Sequence, residues 1–134
     1  MRKLSTLVAV LFSFAMLANA AKKFPFAAAP NVPAARGQVE FSSGKNGNYK
    51  VKLKVEHLAE PQNLTPAKNS YVIWFQQPDG YPTIQGVLRV DKNLKAEFET
   101  TIPWNNFAVF ITAEDGASPR APSGPEVLRV EIKQ

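Results

Sequence analysis

The amino-acid sequence predicts an all-β fold, and three observations lead to that prediction. Seven segments either alternate apolar and polar residues or form short apolar runs of strand length. Glycine, proline, asparagine and aspartate separate these segments at regular intervals. No segment after residue 20 has the apolar repeat of a helix. The pattern is typical of an immunoglobulin-like antiparallel β-sandwich of about seven strands, with a small barrel as the alternative.

The second strand is the clearest, because every second residue from Tyr49 to Glu56 is apolar and those between are charged. The segment YVIWFQQ is apolar on both alternating sets, which favours a central strand covered on both sides. Residues 83–90 and 94–101 flank Asp91, Lys92 and Asn93 and predict an antiparallel hairpin. The predicted strands are 38–42, 49–56, 71–77, 83–90, 94–101, 107–113 and 127–133.

The alternation also predicts the core, with Trp74 as the large ring between the two sheets. Its expected members are the inward-facing residues Phe41, Val51, Leu53, Val55, Ile73, Trp74, Phe98, Val109, Ile111, Leu128, Val130 and Ile132.

The segment from Asp115 to Pro125 contains three prolines and two glycines between the last two strands. Residues before proline are biased to extended conformations, and proline cannot donate to a β-ladder. The sequence predicts a stiff arch that carries the chain across one end of the sandwich, and the alternative is a binding loop.

The first twenty residues, MRKLSTLVAVLFSFAMLANA, have a basic start, a short apolar middle and an Ala-Asn-Ala end. These features predict a secretory signal peptide, residues 1–20, cleaved after Ala20. The apolar run is shorter than the roughly 20 residues that an anchor helix needs. An Ala/Pro-rich linker is expected over residues 21–36 and the β-sandwich domain over 37–134. We expect a periplasmic or secreted protein with no membrane span after cleavage.

Composition excludes several function classes. The leader contains two of the 16 basic residues and none of the 11 acidic ones, so the mature net charge is +3. That charge is too small and too dispersed to indicate nucleic-acid binding. The chain has no cysteine, which excludes thiol catalysis, disulfides and cysteine-based zinc sites.

Catalytic candidates are few, and the sequence predicts no enzyme, no cofactor, no metal site and no catalytic residue. His57 is the only histidine and lies at a strand end, so it is expected to be an ordinary surface residue. Glu97 and Glu99 would share one strand face at about 7 Å, within the range of some glycosidase acid pairs. However, two solvated carboxylates lack the raised pKa that a general acid needs.

Other charged residues have structural interpretations. Lys50, Lys52 and Lys54 form a row that could attract an anionic envelope polymer, although charged outward faces also keep sheets from aggregating. Glu114 and Asp115, with Arg120, are expected to make local loop contacts. A carbohydrate or small-ligand binder would instead use exposed aromatics such as Tyr81 and Trp104 together with the proline-rich loop.

Several motifs resemble a known family. YVIW at Tyr71 to Trp74, Gly86, FAVFITAED and SP-x-x-PSGPEVL are similar to the extracytoplasmic C-terminal domain of anti-sigma-K-type bacterial regulators. The similarity spans residues 64–128. Where that family has Glu-Pro and paired glycines, this chain has Glu114, Asp115 and a single Gly116.

The resemblance implies a bacterial sandwich outside the cytoplasm with a sensory or protein-contact role. It does not imply sigma-factor inhibition, because a leader and a short linker are expected where the regulators have a sigma-binding segment and a membrane helix. We therefore expect a non-enzymatic module that contacts an unknown protein or cell-envelope component, with no binding residue assigned. The alternative function is binding of a small ligand or a carbohydrate.

Overall fold

A computed structural model describes residues 21–134, which form a two-layer antiparallel β-sandwich, as the sequence predicts. The predicted signal peptide lies outside the described residues. The strands are β1 (Lys22–Pro25), β2 (Ala27–Ala28), β3 (Arg36–Ser43), β4 (Tyr49–Glu56), β5 (Ser70–Gln76), β6 (Thr83–Leu88), β7 (Ala96–Ile102), β8 (Asn106–Glu114) and β9 (Glu126–Lys133). One sheet has the order β1-β3-β4-β7 and the other β2-β9-β8-β5-β6. Residues 21–134 contain no helix with the length and apolar character needed to cross a membrane.

The inner faces of the two sheets form one core. Strand β4 contributes Val51, Leu53 and Val55, all buried, while the residues between them face outward. Strand β5 adds Tyr71, Ile73 and Phe75 from its inner face. Of the expected core residues, Phe98 and Val130 are only partly buried against this core, and Trp74 is not in it.

Trp74 is fully buried, but it lies on the outer face of the five-stranded sheet and not between the sheets. It clusters with Val72 and Phe110, apart from the main core. Both alternating sets of β5 are apolar, so the sequence pattern cannot tell which set points inward. The indole N–H donates to the Thr112 hydroxyl oxygen at 2.8 Å, which satisfies its only polar group.

The N-terminal segment is part of the sandwich, which corrects the predicted linker over residues 21–36. Strand β1 pairs with β3 and strand β2 pairs with β9, so the chain passes from one sheet to the other between them. Phe24 and Phe26 pack against the core from these edges. Proline is tolerated here because Pro25 lies on an edge strand, where its missing N–H breaks no ladder.

The predicted hairpin over residues 83–101 is a connection between sheets. Strand β6 pairs with β5, whereas β7 pairs with β4 in the opposite sheet. The turn itself forms, because the Asp91 N–H donates to the Lys95 carbonyl oxygen and the Asp91 carboxylate accepts from two backbone N–H groups. Turn residues and alternation are the same for a hairpin and for a crossover, so the pattern could not separate them.

The proline-rich segment is a hairpin loop, which corrects the predicted arch. Strands β8 and β9 on either side of it are antiparallel neighbours in one sheet. Their register shifts between Ile111 and Thr112, next to the loop. The loop therefore returns the chain to the same sheet and does not cross the sandwich.

Candidate functional site

The outer face of the four-stranded sheet carries both the lysine row and the glutamate pair. Lys50 forms an ion pair with Glu99 at 3.1 Å. Lys54 lies 3.5 Å from Glu40 of the neighbouring strand and opposite Glu97 in the register. Lysines and glutamates therefore alternate across the strands. The positive charges of the lysine row and the negative charges of the glutamate pair offset each other. Two of the three lysines of the row are thus ion-paired with glutamates, and both glutamates of the candidate pair are exposed on an open sheet face.

His57 lies just after β4, with its backbone in the left-handed region at φ 55° and its side chain exposed. It occupies the turn that leads away from the strand. Within residues 21–134, no group of three or more histidine, cysteine, aspartate or glutamate side chains is arranged to hold a metal ion.

Among residues 21–134, Glu114 is the only buried residue of the Asp, Glu, Lys, Arg and His types, with 1% of its surface exposed. Its carboxylate accepts hydrogen bonds from the Ser123 hydroxyl at 2.5 Å and from the Gly124 N–H at 3.0 Å. The Ser123 N–H also donates to it. These bonds hold the far side of the proline-rich loop against the outer face of the five-stranded sheet.

Burial alone would raise the pKa of Glu114, but the hydrogen bonds from Ser123, Thr112 and Gly124 together outweigh it and lower the pKa. The carboxylate is therefore ionised in the folded state at neutral pH. Its neighbour Asp115 contacts Lys68 at 3.5 Å, while Arg120 is exposed in the loop. The expected local contacts thus form for Glu114, whereas Asp115 contacts a different loop.

The proline-rich loop and the two exposed aromatics lie at opposite ends of the sandwich. Strand β8 begins at Asn106, two residues after Trp104, and is nine residues long, ending at Glu114. At the strand rise of about 3.4 Å per residue, the two ends are on the order of 25 Å apart. A site that combines Tyr81, Trp104 and the proline-rich loop therefore does not form.

Tyr81 and Trp104 do lie together, in a groove of about 440 Å³. Tyr81 belongs to the turn between β5 and β6 and is 90% exposed, the most exposed large apolar side chain of the described residues. Trp104 is half-buried, and its ring meets Phe107 edge-on with 6.4 Å between centroids. One aromatic is therefore fixed by the core while the other extends into solvent. We call this concavity the aromatic groove.

Hydrogen bonds hold the turn that carries Tyr81. The Gln76 amide donates to the Gly80 carbonyl oxygen at 3.0 Å, and the Gly80 N–H donates to the Gln77 carbonyl oxygen at 3.0 Å. The Thr83 hydroxyl donates to the Phe75 carbonyl oxygen at 3.0 Å. The position of the Tyr81 backbone is thus set before any ligand binds.

A second concavity of about 400 Å³ adjoins the first, because Gln77 and Pro78 line both. Its other polar residues are Gln76, Asn106, Arg129, Glu131 and Lys133. We call it the polar groove. Sequence reasoning named Tyr81 and Trp104 but missed these residues, since they come from three strands whose order the sequence did not reveal.

A third concavity, of about 410 Å³, lies at the opposite end beside Tyr71. The Tyr71 hydroxyl donates to the Ala59 carbonyl oxygen at 2.6 Å, and burial raises the pKa of Tyr71 to about 12. The phenol therefore serves the fold, as a hydrogen-bond donor between β5 and the loop before it.

Comparison with protein-family models gives no match for this chain, and no curated protein is similar to it. The resemblance to anti-sigma-K-type domains accordingly stays a prediction drawn from the motifs.

Proposed function

We propose that this protein is a secreted or periplasmic, non-enzymatic β-sandwich module that acts by contact with a protein or a cell-envelope component. The contact is made at the aromatic groove. The observation that carries the proposal is the 90% exposure of Tyr81 beside the half-buried Trp104. Tyrosine and tryptophan are the residues that most often dominate binding energy at interfaces.

The surroundings of the candidate acids and bases within residues 21–134 support a role in contact. The chain has no cysteine and a single histidine, which lies at a strand end. Glu99 is ion-paired on an exposed face, and Glu114, at the end of β8, is hydrogen-bonded to the proline-rich loop. Each candidate acid or base thus has a structural partner or full solvation.

The same groove favours a second candidate function, the binding of a small ligand or a carbohydrate. Its rings are accompanied by the hydroxyl of Thr83, the amide of Gln77 and the carboxylate of Asp79. Pockets for small ligands combine aromatic walls with a few polar groups in this way.

Crosslinking in the native envelope tests the contact function. A photoreactive benzoyl-phenylalanine replaces Tyr81 in one variant and Lys52 in a control variant on the charged face. We expect a heavier adduct from position 81 alone, with protein and glycan stains identifying the class of partner. Equal adducts from both positions, or none from either, would overturn the proposal.

The compartment is tested separately, by mass spectrometry of the exported protein. We expect a chain that begins at Ala21, because the leader is predicted to be cleaved after Ala20. A full-length chain retained in the cytoplasm would contradict the proposed location.

A further inference from the structure

We propose that the aromatic groove and the polar groove form one continuous site for a neutral oligosaccharide, with at least one sugar ring packed on Tyr81 and Trp104. This inference rests on the proposed function, since it names the chemistry of the partner that the groove contacts.

The two concavities adjoin, and a site that combines them is larger than either one alone. They measure about 440 and 400 Å³ and share Gln77 and Pro78 as their common wall. Each falls within the size of a small-ligand pocket, roughly 300–1,000 Å³. A ligand that extends across Pro78 would thus contact rings on one side and polar side chains on the other.

The chemistry of the aromatic groove suits a sugar ring. One face of a pyranose carries mainly C–H groups, which pack on the flat surface of an aromatic ring, while its hydroxyls point outward. Around Tyr81 and Trp104, those hydroxyls meet the amide of Gln77 and the carboxylate of Asp79.

The charge of the joined grooves favours a neutral ligand. Arg129 and Lys133 supply two positive charges, and Asp79 and Glu131 supply two negative ones, so the net charge of the lining residues is zero. Arg129 is also held away from an anion, because its Nε donates to Glu126 at 2.8 Å and its guanidinium lies over Phe110. Phosphate-rich and polyanionic ligands, which need unpaired cations, match this lining poorly.

The site is also preorganised. Trp104 packs against Phe107, and the turn that carries Tyr81 is held by the three hydrogen bonds at Gln76, Gly80 and Thr83. Fixing a site before binding lowers the entropy lost when a ligand is ordered. The exposed ring of Tyr81, carried on a hydrogen-bonded turn, is therefore suited to serve as a binding platform.

The test is an NMR titration of the ¹⁵N-labelled mature protein with cellohexaose, chitohexaose and maltohexaose, each alongside its disaccharide. We expect one hexasaccharide to shift the Trp104 indole N–H signal and the side-chain amides of Gln77 and Asn106. Tyr81→Ala should weaken that binding about tenfold, since the lost contact is on the order of 1.4 kcal/mol. Because Tyr81 is exposed, this variant should remain folded.

Two further variants test whether the polar groove contributes to binding separately from the aromatic groove. Glu131→Ala should weaken the hexasaccharide severalfold and leave the disaccharide unchanged, because only the longer ligand reaches the polar groove. Lys52→Ala, on the opposite sheet, should change neither affinity. Equal losses for both ligands in Glu131→Ala would overturn the two-part site.

The remaining outcomes discriminate between ligand classes. If none of the sugars shifts these signals at about 10 mM, beyond the millimolar range of weak ligands, the oligosaccharide inference is overturned. A proline-rich decapeptide that binds there instead would also overturn it and indicate polyproline recognition. Crosslinking at position 81 would still support the contact function in both cases, whereas failure of both experiments would remove both proposals.

Discussion

The two outer faces of the sandwich differ in what covers them. On the four-stranded sheet, the outward residues of β4 are lysines and a glutamate that reach solvent, and Lys50 and Lys54 form ion pairs with neighbouring strands. On the five-stranded sheet, Val72, Trp74 and Phe110 point outward and yet are buried. Only the first is the solvated face expected of an antiparallel sheet.

The difference shows where this small domain gains additional buried surface. A row across the five-stranded sheet places Ile84, Trp74, Phe110 and Arg129 side by side. The Arg129 guanidinium lies 4.5 Å from the Phe110 ring centroid, a cation–π distance, and the proline-rich loop folds onto the same face at Glu114. The sandwich therefore has a second, smaller core outside its sheets.

Of the variants that compare the two outer faces, Trp74→Ala should lose the most free energy of unfolding. Trp74→Ala removes the centre of the second core and the indole N–H that donates to the Thr112 hydroxyl oxygen. We expect a loss of about 3–5 kcal/mol in the free energy of unfolding, measured in urea. Lys52→Ala on the other face should change it by less than about 0.5 kcal/mol. A loss below about 1 kcal/mol for Trp74→Ala would mean that the second core contributes little.

The close contact between the proline-rich loop and β8 should give the next largest loss of stability when it is disturbed. A Cβ at Gly124 would lie 1.7 Å from the Ala113 carbonyl oxygen, so Gly124→Ala forces the loop away from β8. We expect a loss of about 3 kcal/mol, at the upper end of the usual cost of overpacking, because the clash is with backbone. Gly116→Ala is the matched control, because a Cβ there meets nothing within 4 Å. Equal stabilities of the two variants would contradict this description of the loop.

The buried carboxylate should make the loop's contribution depend on pH. The pKa of Glu114 is lowered on folding, so its contribution is present above the unfolded value of about 4.3 and is lost as pH falls through the folded value. Glu114→Gln should lower stability by about 1.5–3 kcal/mol at pH 7 and by progressively less in acid. Thermal unfolding from pH 3 to 7 measures the difference. Glu131→Gln, on an exposed position of β9, should leave the wild-type profile unchanged.

The sequence predicted the strand bounds accurately where one face of the strand is exposed to solvent. The predicted bounds of β4 agree with the structure, because lysines and apolar residues alternate without interruption. It could not orient β5, since Tyr71 and Trp74 both lie in an entirely apolar segment and either set could face inward. It also missed β1 and β2, which are only four and two residues long and show no sustained alternation of apolar and polar residues.

The candidate site was predicted in part. Tyr81 and Trp104 were named as aromatic residues that could be exposed and could bind a ligand. The proline-rich loop was wrongly grouped with them. Counting the strands along the chain would have separated them. Two strands, β6 and β7, lie between the loops of Tyr81 and Trp104, so both loops are at the same end of the sandwich. One further strand, β8, leads to the proline-rich loop, which is therefore at the other end. Gln76, Asn106 and Glu131 required the strand order and register as well.

The smallest expected effect concerns the charged face. A double-mutant cycle on Lys50 and Glu99, whose atoms are 3.1 Å apart with both side chains about half exposed, should give a coupling of about 0.2–1 kcal/mol. The coupling should decrease at 1 M salt, where the screening length is only about 3 Å. A larger, salt-independent coupling would show that the ion pair is desolvated and that the two faces stabilise the domain in similar ways. A small one means that the lysines and glutamates protect the sheet from association with other molecules, while stability on the outer faces comes from Trp74 and the carboxylate-anchored loop.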